Sequence, residues 1–440
     1  MKITNEISKK ISYYSLLIWC GLPLLVLVIN PLIKETSTVY FFMFLIMIGI
    51  VGIINGIIYF KNNIGKIRNM KINSKLPFIV ILLFLVWTFI SCLFADNKLL
   101  SLIGSEYRHD GFLSYICYAA FFINGLIVSS DKLYIQKLFR LLIISSCILG
   151  INVLIGDNIF ITDSNAYEPS IYAAIFSNEN HFAYYLTISI MCSFFFSIYE
   201  NKIYILSFLL LSEVLMMNNT FGSYLAVLIT IVIMFIYYLI KKEKRIIACL
   251  LLSMFICLSL FNSNIIKNMK QTINEVVKIV QNRNSLKETR YIDYDNNLEE
   301  NQQGYLLICA GNSRLDLWIN GVKLSNKKPL LGYGLENLKK PYKDVVMCDA
   351  TDRPHNTFIQ ILMTTGYVGL IMWVSYLSML FYQFIVNKKL NKYLIMTFGM
   401  MTTYIISSFF GNTMFYTTPY FILLLGVASS IFLKNKKSIN

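Results

Sequence analysis

Apolar residues run along this chain in stretches of about twenty, separated for the most part by short polar connections. A helix rising about 1.5 Å per residue crosses the hydrocarbon layer in that length. Twelve stretches can be drawn, at 12–33, 38–60, 77–95, 111–130, 133–155, 181–199, 202–218, 221–240, 246–263, 355–386, 393–411 and 416–433. The pattern predicts an all-α polytopic membrane protein with about twelve transmembrane helices, one membrane domain over 1–440. The first stretch is too long for the apolar core of a cleavable leader and lacks a small-residue cleavage site, so it reads as a retained span.

One connection breaks the rhythm. Residues 264–354 are mostly polar, and loops of that length are usually functional or disordered. Near its start, Ile266, Met269, Ile273, Val276, Val277 and Val280 recur at helical spacing, which predicts an amphipathic helix on the membrane surface. A polar, aperiodic stretch follows. In GNSRLDLWINGVKLSNKKPLLGYG, Ser313 and Asp316 have capping-box spacing. Leu315, Trp318, Ile319 and Val322 share a face, and Pro329, Gly332 and Gly334 close the piece in a turn. The loop therefore reads as a helical cap over one membrane face.

Charge orients the chain. With the N-terminus inside, the inner segments hold 22 Lys/Arg and 4 acids, and the outer segments 17 and 19. The short outer connections carry only Lys34, Lys98 and Arg108. Short loops report orientation, and each cation at mid-membrane costs about 2.5–3.5 kcal/mol, so the expectation is N-in/C-in with the large loop extracytoplasmic in the plasma membrane. The net charge of +15 then signals topology, not nucleic-acid binding. Only 14% of residues are charged, against about 25% in soluble domains, which excludes an ordinary soluble enzyme. Seven of nine cysteines fall in spans as small apolar residues. Cys309 and Cys348 share the large loop, where a disulfide is open but not demanded. No Cys/His cluster predicts a metal, and no cofactor is expected.

The three histidines, His109, His181 and His355, all fall on the outer side, as do Arg108, Arg290, Arg314 and Arg353. His355 follows Pro354, which suits a first helical turn. The positive end of that helix keeps imidazole neutral, able to accept a proton, and also attracts phosphate. An interfacial histidine that caps the helix or meets headgroups fits equally well. Arg314 can grip phosphate with paired hydrogen bonds, or simply neighbour Asp316 on a solvated face. Arg108 can do the same, or snorkel to headgroups. Glu213, the one acid within a span, reads as functional with an outer arginine as partner, or as reaching water.

At these residues the chain resembles the O-antigen ligases and related polysaccharide polymerases. DRPHNTFIQILMTTGYVGL resembles their signature of a His-Asn/Ser pair opening a span that runs to Gly-x-x-Gly, here His355, Asn356, Gly366 and Gly369. SRLDLWINGVKLSNKKPLLGYGLENL is similar to their Arg…Trp…Pro-x-x-Gly-x-Gly stretch, here Arg314, Trp318, Pro329, Gly332 and Gly334. SLIGSEYRHDGFLSYICY and FSNENHFAYYL resemble further family segments. One departure stands out: many members carry Ser-Arg-Gly near the eighth span, where this chain reads NTFGSYLAVL, with Phe221 or a neighbour in place of the arginine. Arg108 is the candidate substitute.

The resemblance implies a metal-independent, inverting glycosyltransferase of cell-envelope assembly. It implies a polyprenyl (undecaprenyl) pyrophosphate-linked glycan donor, a glycan or lipid hydroxyl acceptor, and a chain-length regulator as a further partner. His355 and Arg314 would be catalytic. Arg108, Arg353, Asn356, Glu213, His109 and His181 would bind substrate. The rival reading is a flippase for lipid-linked oligosaccharides, which needs polar groups at the membrane midplane and usually repeated halves. No repeat is visible, and Glu213 lies toward one face. A receptor-like protein with a binding loop is a third reading.

Overall fold

The computed structural model describes residues 2–33, 37–106, 108–156, 171–176, 178–262, 265–267, 270, 314–346, 352–387, 390–412 and 414–433. Among these every regular element is helical. In order they are α1 (Lys2–Ile33), α2 (Ser37–Asn62), α3 (Ile64–Arg68), α4 (Ile72–Leu93), α5 (Lys98–Ile103), α6 (Phe112–Val128), α7 (Lys132–Ile155), α8 (Glu179–Tyr199), α9 (Tyr204–Asn218), α10 (Phe221–Lys241) and α11 (Arg245–Phe261). Then come α12 (Arg314–Ser325), α13 (Lys339–Val346), α14 (Thr357–Val386), α15 (Lys392–Ser408) and α16 (Thr418–Ser429). A helix thus stands at each apolar stretch. By length and composition seven of them can cross a membrane: α1, α2, α4, α7, α8, α10 and α14. Helices α6, α9, α11 and α16 are apolar but shorter.

Burial separates centre from periphery. The apolar window of α8 is 94% buried, that of α4 only 28%. α8 is surrounded by α7, α9, α10, α11 and α15. It can therefore carry polar groups that pair internally, as Ser189 does with Ser146 at 2.6 Å. α4 instead leans on α14 and shows Ile79, Leu82 and Val86 outward, which suits contact with acyl chains.

The segment α12–α13 packs on the first turns of α14 through Leu317, Leu324, Tyr333, Leu338, Tyr342 and Met363. The expected apolar face of α12 is thereby corrected. Leu317 and Leu324 are buried, while Val322 is exposed. The reason is Gly321, whose missing side chain lets Ile359, Tyr342 and Met363 approach, so contact follows 317, 321 and 324. The amphipathic stretch at 266–280 lies almost wholly outside the described residues. So do Arg290, Cys309, Cys348 and Ser313; the side chains of Leu315 and Asp316 do too.

The helix α14 is broken. Gly366 has φ 70° and ψ −175°, backbone that only glycine adopts readily. The loop 329–334 enters the break. Tyr333 N and Gly334 N donate to Met363 O and Thr364 O at 2.8 and 3.0 Å, and Tyr367 N donates to Pro329 O at 2.8 Å. Ser91 and Trp87 of α4 donate to Thr364 O and Thr365 O at 2.6 and 3.0 Å. Irregular backbone survives at such a place only when its polar groups are paired within protein. The stretch from 367 to 386 alone reaches about 30 Å, enough to span, which leaves the half-helix 357–365 as a separate platform.

Candidate active site

Histidines and arginines from distant stretches meet at one end of the bundle, where α6, α8 and α14 begin. His355 precedes α14, but the cap is Asn356: its Oδ1 accepts from Phe358 N and Ile359 N at 3.0 and 3.2 Å. That removes the capping role from His355 and explains Asn356 as a structural residue. Pro354 lies outside the helix, which starts at Thr357. His355 has φ 50°, His109 φ 46° and Glu336 φ 59°. Such left-handed non-glycine residues are uncommon and gather at functional sites.

Three consecutive residues between α15 and α16 tie Arg314 to His355. Phe410 O accepts from Arg314 Nη1 at 2.8 Å. Gly411 O accepts from Thr357 Oγ1 at 3.1 Å. Asn412 Nδ2 lies 3.2 Å from His355 Nδ1. The turn is possible because residue 411 is glycine: a Cβ there would fall 1.3 Å from the Tyr184 hydroxyl of α8. Phe410 in turn packs on Gly222, next to Phe221. Arg314 therefore reaches the neighbourhood of Phe221 at the start of α10.

Electrostatics bring the cluster together. Part of the His355 ring is open, yet the protein crowds it. Desolvation first, then the charges of Arg314, Arg108 and Arg353, push its pKa down to about 4. The ring is neutral at pH 7. Arg108 is drawn down to about 10 by burial and by Arg353, against Glu336 and Asp110, so it stays a cation. It pairs with Asp352.

Arg353 serves a different purpose from the expected one. Its Nη1 meets Asp110 Oδ2 at 3.0 Å and its Nη2 meets Glu336 Oε1 at 2.7 Å, all three side chains buried. Burial works against its charge, and Asp110 and Glu336 more than offset that, so its pKa is raised. Gln360 Nε2 also donates to Asp110 at 3.0 Å. Asp110 N and Ser105 Oγ donate to Glu336 at 3.2 and 3.3 Å. This hub joins the loop before α6, the loop after Gly334 and the approach to His355.

The remaining expected residues divide. His181 lies near the start of α8, Nδ1 3.2 Å from Phe176 O, within range of the charges of Arg353 and Arg108. His109 stacks on Phe42 at 3.7 Å and meets the edge of Phe415 at 5.3 Å, a packing position; burial lowers its pKa against Glu336 and Glu106. Glu213 on α9 is half-buried and makes no ion pair among the described residues. Asn412 escapes the sequence reading because it lies in no quoted segment; Asp110, Glu336 and Gln360 lie within such segments but are not signature positions there.

Beside the cluster lies an apolar cavity of about 1180 Å³. It starts at Thr357, Phe358, Ser408, Tyr404 and Thr418, and descends between α2, α4 and α6 to Asn63 and Lys66. The Tyr118 hydroxyl on its wall is buried without a partner among the described residues. Exposed Ile79 and Leu82 also line it, so it opens sideways along α4.

Residues 206–374 match the family model described as O-antigen ligase. That segment is thus similar to the O-antigen ligase family. The matched O-antigen ligase segment includes Arg314, Glu336, Arg353, His355, the 329–334 loop and the break at Gly366. It leaves Arg108, His109, His181 and Asn412 outside. No curated protein matches the chain.

Proposed function

We propose that this protein transfers a glycan from a polyprenyl pyrophosphate, such as undecaprenyl pyrophosphate, to a hydroxyl acceptor at the outer face of the plasma membrane, in cell-surface polysaccharide assembly. The observation that carries the reading is the 410–412 turn that ties His355 to Arg314, with Arg108 and Arg353 in electrostatic range, beside an apolar cavity open toward the bilayer. The family match supports glycosyl transfer of this kind.

The step is a single displacement. The acceptor oxygen bonds to the anomeric carbon as its proton passes to His355. The bond from that carbon to the diphosphate oxygen breaks, and the leaving diphosphate keeps the electron pair. Attack opposite the leaving group inverts the anomeric centre. Developing charge on the diphosphate needs preorganised cationic donors. Arg314 supplies paired hydrogen bonds, with Arg108 shared between Asp352 and the substrate. The polyprenyl chain lies in the cavity. A base of pKa about 4 is weak. The arriving diphosphate neutralises the arginines that hold His355 down, so donor binding itself strengthens the base.

The test is transfer from a lipid-linked donor by purified protein. His355→Ala should lose roughly 100-fold or more in turnover with normal membrane insertion. Arg314→Lys should lose roughly 100-fold, since an ammonium cannot make the paired contact. Wild-type product from either variant would overturn the assignment of that residue.

A further inference from the structure

The inner end of the cavity has chemistry of its own. Its floor is the connection 61–75, KNNIGKIRNMKINSK, with five cations and no acid. Lys66 and Lys75 line the cavity directly. Lys66 is exposed, and Lys75 donates to Arg68 O at 2.9 Å, which pins the connection beneath the opening. Asn63 and Asn5 close the floor, with Asn63 Nδ2 donating to Asn5 Oδ1 at 3.0 Å. Above them the walls are apolar: Phe78, Ile81, Ala119 and Phe122. An amphipathic ligand with an anionic head is complementary to both parts.

We propose that this end of the cavity binds an anionic phospholipid from the leaflet at the α3 end. Its phosphate rests on Lys66 and Lys75, and its acyl chains enter the cavity through the opening along α4. The orientation bias of short loops accounts for cations somewhere in this connection. It does not account for two of them edging a cavity of about 1180 Å³. Basic residues beside a span attract anionic headgroups, by about fivefold for each cation at the surface. The lipid would share the cavity with the polyprenyl chain of the proposed donor. The binding site itself does not depend on that reading, and the test below uses no glycan donor.

The full-length protein is purified in detergent, and the binding of phosphatidylglycerol and of phosphatidylcholine is counted by native mass spectrometry. Wild type should prefer phosphatidylglycerol. Lys66→Gln with Lys75→Gln should cut that preference about 25-fold. Lys61→Gln with Lys71→Gln removes the same charge from the same connection, away from the cavity, and should leave most of the preference. Ala119→Trp, which fills the cavity without changing charge, should weaken both lipids. Equal loss in the two lysine pairs would reduce the site to diffuse attraction and overturn the proposal. So would unchanged binding in Ala119→Trp. A polyprenyl phosphate that binds more tightly than phosphatidylglycerol and loses that binding in Lys66→Gln with Lys75→Gln would reassign the lysines to the carrier lipid and overturn the proposal. A failed lipid test leaves His355 and Arg314 where they stand, and inactive His355 variants leave this site untouched.

Discussion

Replacing Arg353 with methionine separates structural from substrate-binding arginines. The guanidinium holds Asp110 and Glu336 at 3.0 and 2.7 Å, and the three side chains are 5%, 2% and 6% exposed. Methionine keeps the length and apolar bulk of the stem but strands two carboxylates away from water. Breaking a buried pair by removing one partner costs about 3–5 kcal/mol. Gln360 and the Asp110 and Ser105 donors remain, so the lower part of that range is expected. The measurement is thermal unfolding of the detergent-purified protein, followed by tryptophan fluorescence. Adding Asp110→Asn to Arg353→Met should recover part of the loss, because the second change removes one stranded charge; the cycle reads the coupling. If Arg353→Met melts like wild type and loses only turnover, the arginine touches substrate and the hub is not what positions the site.

Gly366→Ala should cost about 3 kcal/mol or more, because strain at such backbone is about 1–3 kcal/mol and a Cβ would fall 2.1 Å from Leu330 O; melting temperature and release of the 329–334 loop to protease check it. The pH profile should split. Above about pH 5 His355 stays neutral in the free protein and kcat/KM is flat, then falls as pH drops through about 4. With donor bound the arginines are neutralised and the pKa is higher, so kcat should fall at a higher pH; coincident limbs would refute the coupling. Asn412→Leu should lower kcat roughly 10- to 100-fold with little change in KM, since Asn412 meets His355 Nδ1 at 3.2 Å; steady-state kinetics with unaltered thermal stability would show orientation and not folding.

What the sequence makes legible follows from what each residue does alone. Long apolar runs declare helices because their burial in lipid or protein needs no particular partner, and a helix stands at every one. His355 and Arg314 stand out because the chain has only three histidines and because each sits in a segment that resembles one family's signature. Arg353 carries the same marks as Arg314 and differs only in what surrounds it. Its partners Asp110 and Glu336 lie 243 and 17 residues away in the chain, and neither separation is a local spacing that reveals the pairing. Asn356 is similar: an asparagine before an apolar run is equally a substrate contact or a cap, and the two bonds to Phe358 N and Ile359 N decide it. Asn412 and Gly411 have no charge and no motif, so the turn that joins Arg314 to His355 is invisible until α15 and α16 are placed.

The broken helix connects these observations. Hydropathy averages across Gly366 and reports one continuous span, yet the carbonyls of Met363, Thr364 and Thr365 accept from Tyr333, Gly334, Ser91 and Trp87 outside the helix. An unbroken helix would carry its first turns along the span's own axis. The break frees residues 357–365 to be aimed by other contacts: Gln360 to Asp110, Thr357 to Gly411, Ile359 beneath Gly321. Gly366, Gly332 and Gly334, which look like separate family signatures, are thus two sides of one joint, with φ of 70°, 68° and 83°. Their spacing is legible because glycine is needed on both sides. The joint places a neutral imidazole above the membrane span that anchors it, while the arginine of α12 comes in from the loop side. Stiffening either side should therefore disturb the His355–Arg314 geometry before it disturbs insertion of the span.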